Sequence, residues 1–215
     1  MAAMPQNHKP KGAITMGCDI HMYVEGKRTI HGVEKWVSGD YYSVNPYYTE
    51  GEDGEQKYRI SPIYDGRNYR LFAVLAGVRN YSDIEPIAES KGIPNDSCPE
   101  ILEANEYCRG DGHSHSYLTL HELQEYAAKK IKTKYSGYVH ESETHKPLNG
   151  ECPSSWCQST NAPDHKYMEW EVEENILEPI IEGLRNRAKE LFYCYDEEQI
   201  NERSKKIRVV FWFDN

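Results

Sequence analysis

The segment Gly110-Asp111-Gly112-His113-Ser114-His115-Ser116 gathers the side chains best suited to chemistry. In an extended chain, residues at i and i+2 project to the same side, so His113 and His115 would begin a transition-metal site. Asp19 and His21 repeat that spacing near the N-terminus. If the two strands meet, Asp19, His21, His113 and His115 form a mixed imidazole and carboxylate set for a divalent ion such as Zn, Mn or Mg, with Asp111 beside them to orient a ligand or act as base. Such an ion would lower the pKa of a bound water and polarise a phosphoryl oxygen. Catalysis is therefore expected at Asp111, His113 and His115.

The same segment supports a second chemistry that needs no metal. Glycines and small hydroxyl residues just before a helix start expose backbone N–H groups to an anion such as phosphate. Ser114 and Ser116 would add hydroxyl donors, Arg79 a guanidinium fork with Asn80 beside it, and Asp214 a polar group at a strand end. A plain polar turn, with Asp and Ser bonding local backbone, remains a third reading. For Asp19 and His21 the corresponding plain reading is a solvated strand face. Cys152 and Cys157, spaced C-x4-C near His140, His145 and His165, raise the separate option of a zinc clip against that of an unstructured surface insertion.

The elements around these residues suggest how they are positioned. Ile20, Met22 and Val24 alternate with Asp19, His21, Tyr23 and Glu25, the period of a half-buried strand, and Gly26 with His31-Gly32 turns into a second strand near Glu34 to Val37. Tyr69 to Val78 reads as a short buried helix. Thr119-Leu120-His121-Glu122 is a capping box at the start of another, with Leu120, Leu123, Tyr126, Ala127 and Ile131 as its apolar stripe. A long helix is expected from about Val172 to Tyr193, kinked at Pro179, and Ile207 to Phe213 suits a central strand. The expected fold class is α+β: a small mixed or antiparallel sheet built from the N- and C-terminal strands, with helices packed on one face. Residues 1–15 read as a flexible extension, 16–215 as one domain, and 137–166 as a polar insertion.

Composition narrows the partners. The chain has 215 residues, 25 Lys and Arg against 35 Asp and Glu, a formal charge of −10, and a mean hydropathy of −0.82. That acidity disfavours an extended nucleic acid, whose binding draws on cations that neutralise phosphates, but leaves a local basic site open. No apolar run suits a membrane span and no signal segment opens the chain, so a cytoplasmic protein with six reduced cysteines is expected. Tyrosine is abundant, 17 against 4 Phe and 4 Trp. Much of it falls in an irregular stretch from Tyr41 to Tyr64 that suits a lid or contact surface.

Several segments together resemble a known group of proteins. Met16-Gly17-Cys18-Asp19-Ile20-His21, Arg67-Asn68-Tyr69-Arg70-Leu71-Phe72-Ala73 through Val78-Arg79-Asn80, Gly92-Ile93-Pro94, Asp111 to Thr119, and Val210 to Asn215 are similar to motifs of small proteins encoded by bacteriophages and prophages. The resemblance spans Met16 to Asn215 and brings no activity with it. It implies an accessory role in the cytoplasm of a bacterial host, not a virion part. Its matching segments include Asp19, His21, Arg79, Asn80, Asp111, His113, Ser114 and Asp214, which favours a site over plain polar turns. The expected activity is therefore metal-assisted hydrolysis of a phosphorylated small molecule or nucleotide. Two alternatives stand beside it: a non-catalytic binder that sequesters a nucleotide signal, and a protein-binding inhibitor of a host defence protein.

Overall fold

The computed structural model describes residues 17–51, 57–81, 83–108, 110–130 and 132–215. The expected extension at 1–15 lies outside these, as does Ile131. The strands are β1 (Asp19–Ile30), β2 (Val33–Ser38), β3 (Tyr41–Val44), β4 (Tyr58–Ser61), β5 (His113–Thr119), β6 (Lys132–His140), β7 (His165–Glu173) and β8 (Ile207–Asp214). The helices are α1 (Tyr69–Ala76), α2 (Pro99–Tyr107), α3 (Leu120–Ala127), α4 (His145–Leu148), α5 (Glu178–Phe192) and α6 (Glu197–Arg203). The main sheet runs β2-β1-β8-β5 with antiparallel neighbours, so the first and last strands pair and the fold is α+β.

β8 lies between two neighbours and is apolar on both faces, as its run of Val, Phe and Trp requires. Ile20, Met22 and Val24 of β1 and Phe211 and Phe213 of β8 meet Phe72 and Leu75 of α1, Leu123 of α3, and Ile180 and Leu184 of α5 in the main core. Fully burying rings such as Phe72, Phe211 and Phe213 contributes about 1.5–3 kcal/mol each. α1, α3, α5 and α6 all reach this face. The opposite face carries a smaller cluster of Val210, Trp212, Cys98 and Ile101, which brings α2 over it. A buried ion pair fastens the preceding loop: Glu25 accepts from Arg208 Nε at 2.6 Å, from Cys98 N at 2.8 Å and from Ser97 Oγ at 3.2 Å, while Arg208 also reaches Asp96.

Local signals explain most boundaries. Asn68 caps α1 by accepting from the Arg70 and Leu71 amides, and Gly77, at φ +69°, ends it in the left-handed region that glycine enters without strain. Both halves of the Thr119–Glu122 capping box form at α3. α5 begins at Glu178, not Val172, because Val172 still belongs to β7; Pro179 sits in the first turn, where its missing N–H costs nothing, and does not kink the helix. α2 and α6 fall where the sequence showed only Pro-rich breaks or short polar runs.

Residues 137–166, expected as a polar insertion, lie largely in the β6–β7 hairpin and its connection. Tyr135 stacks on Trp170 with ring centroids 5.6 Å apart, and Trp156 stands edge-on to both, which gives the hairpin a small core of its own. The tyrosine-rich stretch likewise contains a hairpin, β3–β4.

Candidate functional site

β1 begins, β8 ends and β5 begins at the same end of the sheet, so Asp19, His21, His113, His115 and Asp214 do come into one neighbourhood. Asp19 stands opposite Asp214 in register, and like charges directly opposite repel. Each carboxylate therefore has a cationic or imidazole partner. Arg67 grips Asp19 with Nε at 2.9 Å and Nη2 at 2.7 Å from Oδ1, a fork only a guanidinium makes. Gly17 leaves the room for it, because a side chain there would collide with the Arg67 guanidinium. His21 Nε2 lies 2.9 Å from Asp214 Oδ2. An ionised carboxylate only accepts, so in the neutral ring the bonded Nε2 carries the proton and Nδ1 keeps its lone pair.

A second hydrogen-bonded chain runs beside the first. Arg79 Nη2 donates to Asn215 Oδ1 at 2.8 Å, Asn215 Nδ2 lies 3.1 Å from His113 Nε2, and His113 Nδ1 lies 3.0 Å from Ser114 Oγ. Arg79 and Ser114 both occupy the left-handed region, at φ +51°, although neither is glycine. Strained backbone of this kind costs on the order of 1–3 kcal/mol and concentrates at functional positions.

Ser114 also corrects the expected geometry. A register shift falls between His113 and Ser116, so the simple i, i+2 alternation breaks there. The His113 ring stacks on Phe213, which belongs to the main core, whereas the His115 ring stacks on Trp212, which belongs to the opposite face. The two imidazoles do not share a side. Among the described residues no three His, Cys, Asp or Glu side chains are grouped to hold a metal ion, so the expected set of Asp19, His21, His113 and His115 is not assembled in this arrangement.

The expected helix-start anion site also differs. His113 to Thr119 is strand β5, and the α3 start is taken by its own capping box, with Glu122 receiving Lys91 at 2.6 Å. Ser116 is buried and accepts from the Lys91 amide, and both ends of the Asn80 amide are used on the Ile84 backbone. Asp111 is exposed, two residues before β5. Cys152 lies near Glu174 and Cys157 pairs with Tyr138, and among the described residues neither thiol belongs to a group of three possible metal ligands, so the zinc-clip option is not assembled here.

Arg67, Cys18 and Trp212 join the site without having been singled out, and Asn215 joins beside Asp214 as the end of a central strand suggests. An Asp19–Asp214 juxtaposition would have signalled a required cation, but only once the register of β1 on β8 is known. Burial pushes the Cys18 thiol up against the opposing pull of Arg79, so Cys18 is not an activated nucleophile. Burial, helped by the nearby His113, pushes the His115 ring below the usual imidazole range.

Comparison with family models, with curated proteins and with solved structures finds no match to the chain. No helix among the described residues is long and apolar enough to cross a membrane.

Proposed function

We propose that the polar end of the β1–β8–β5 sheet binds a phosphorylated small molecule, with a nucleotide as the favoured class, and hydrolyses its phosphoester using His21 as general base. The 2.9 Å contact between His21 and Asp214 carries this reading: it pairs a half-exposed imidazole with the carboxylate that orients it. Arg67, held by Asp19, and Arg79, held by Asn215, both reach this end of the sheet; Asp19 and Asp214 offset their charge, so a phosphate would draw a guanidinium away from its present partner. A positioned base contributes roughly 10²–10⁴-fold to such a reaction.

In a metal-assisted form, with Zn, Mn or Mg, Asp19 and His21 would be the residues to hold the ion, Asp19 giving up Arg67 to do so, and the ion would lower the pKa of a bound water. The resemblance to phage and prophage proteins supports an accessory role inside a bacterial host.

Incubating the purified protein with a panel of nucleotides, with and without chelator, and separating the products by chromatography tests the proposal. Cleaved product supports hydrolysis, and its loss on chelation adds the metal. Unchanged nucleotide released only on heat denaturation replaces hydrolysis with sequestration. Neither turnover nor retention across the panel overturns the reading and leaves a protein interface, such as the exposed tyrosines of β3 and β4, in its place.

A further inference from the structure

Beside His115, on the sheet face away from the main core, lies a cleft of about 310 Å³ bordered by Gly92, Ile93, Asn105, Gly110, Gly112 and His115. With Cys108, which also lines the cleft, three of seven lining residues are glycine, so much of the wall is bare backbone. Gly92 and Gly110, at φ +77° and +88°, occupy turns that other residues enter only under strain, and the Gly92 amide donates to the His115 carbonyl at 2.8 Å, which fixes that wall to β5. Gly112 has a different reason to be glycine. A Cβ there would stand 2.9 Å from Trp212 Cδ1 and 3.0 Å from His115 Nε2, so these two rings close directly on it.

Trp212 is fully buried, and its Nε1 has no hydrogen-bond partner among the described residues. A buried donor left unsatisfied costs about 1–3 kcal/mol, and such exceptions call for a reason. The Cδ1 atom that meets Gly112 is bonded to this nitrogen, which places the orphaned donor in the ring edge under the cleft. Burial favours the neutral form of the His115 ring, which presents one donor and one acceptor, and Asn105 on α2 offers an amide with both. A slot with apolar and backbone walls and a few polar edge groups suits a flat ring with a polar rim.

We propose that this cleft seats a planar nitrogen heterocycle, the nucleobase of the phosphorylated ligand, with His115 and Asn105 reading its edge. The inference rests on the proposed function for the phosphate half of the ligand. The spacing suits that division: His115 and His21 flank Trp212 from β5 and β1, with β8 between them, so base and phosphate groups would lie about 10 Å apart by two strand spacings.

Calorimetric titration with ribose 5-phosphate, the four common ribonucleoside monophosphates and the four parent nucleosides tests it on the full chain, alongside Asn105→Trp, which fills the cleft from α2, and Asn105→Ala, which removes only the amide. At least one nucleotide should bind ten or more times more tightly than ribose 5-phosphate. Asn105→Trp should erase that margin without changing ribose 5-phosphate affinity, and Asn105→Ala should reduce it about threefold or more. Equal affinity for ribose 5-phosphate and every nucleotide, or a margin that survives Asn105→Trp, overturns the cleft while leaving the phosphate site standing. Saturable nucleoside binding lost in Asn105→Trp, with no binding of ribose 5-phosphate, keeps the cleft and removes the phosphate site. No binding of any nucleotide or nucleoside overturns both.

Discussion

His21 and Asp214 meet diagonally across β1 and β8, with Nε2 2.9 Å from Oδ2, although their strand partners are Trp212 and Asp19. The diagonal leaves the two aspartates opposite each other and makes the imidazole of one strand the partner of the carboxylate on the next. His21→Ala and Asp214→Asn should each lower turnover of the cleaved nucleotide by about 10²-fold or more, since one removes the base and the other its orientation. Because the pair is partly exposed, folding stability should change by less than about 1 kcal/mol. Steady-state kinetics with a denaturant titration of each variant separates the two effects.

Arg67 holds Asp19 through a fork that lysine cannot copy. Arg67→Lys should therefore weaken phosphate-bearing ligands about tenfold, almost as much as Arg67→Ala, with nearly unchanged melting temperature for both. Titration calorimetry with ribose 5-phosphate reads this directly. Full affinity in Arg67→Lys would mean that charge alone, not the fork, matters.

Ser114 sits at φ +51° in the bulge that separates His113 from His115. Ser114→Gly relieves the backbone and should keep stability within about 1 kcal/mol of the parent, whereas Ser114→Val, β-branched at a positive φ, should cost roughly 1–3 kcal/mol. Thermal and denaturant unfolding of the two variants supplies the comparison. Equal stability would show that the bulge is not strained at this residue.

That bulge also marks where the sequence stops being readable. The alternation of β1, the apolar run of β8, the α1 helix and the Thr119 capping box all show in the order of residue types, because each is a local pattern with a local cause. The antiparallel pairing of β1 with β8 follows only weakly, and its register not at all, so the Asp19–Asp214 opposition and the need for Arg67 stayed hidden. His113 and His115 were legible as chemistry, but their opposite orientations depend on one backbone angle at Ser114. The hairpin of β6 and β7 was missed because its core is three aromatic residues, Tyr135, Trp156 and Trp170, scattered through a polar, proline-broken stretch.

Asp40 supplies a pH test independent of the site. Its Oδ2 accepts from the Val24 amide at 3.0 Å, and burial, reinforced by Glu25 and opposed by that amide and Arg187, pushes its carboxyl up to about 7. Below about pH 4 folded and unfolded chains both hold the proton; from there to about pH 7 only the folded chain does. The Asp40 contribution to stability is thus complete at low pH and lost as pH rises to about 7, at on the order of 1 kcal/mol per pH unit. Asp40→Asn should remove that slope and be more stable than the parent at pH 8, as chemical denaturation across pH 4 to 8 would reveal. A parent and variant with parallel pH profiles would contradict the raised carboxyl.

Phosphorus-31 NMR of a nucleoside monophosphate titrated with the protein is the most direct test of the central claim, because it sees the phosphate whether or not turnover follows. The account predicts a shifted or broadened phosphate resonance with the parent protein, restored to the free-ligand position in the double variant Arg67→Ala, Arg79→Ala. It also predicts a growing inorganic phosphate signal that His21→Ala abolishes. Spectra of every nucleotide in the panel identical with and without the parent protein would contradict it.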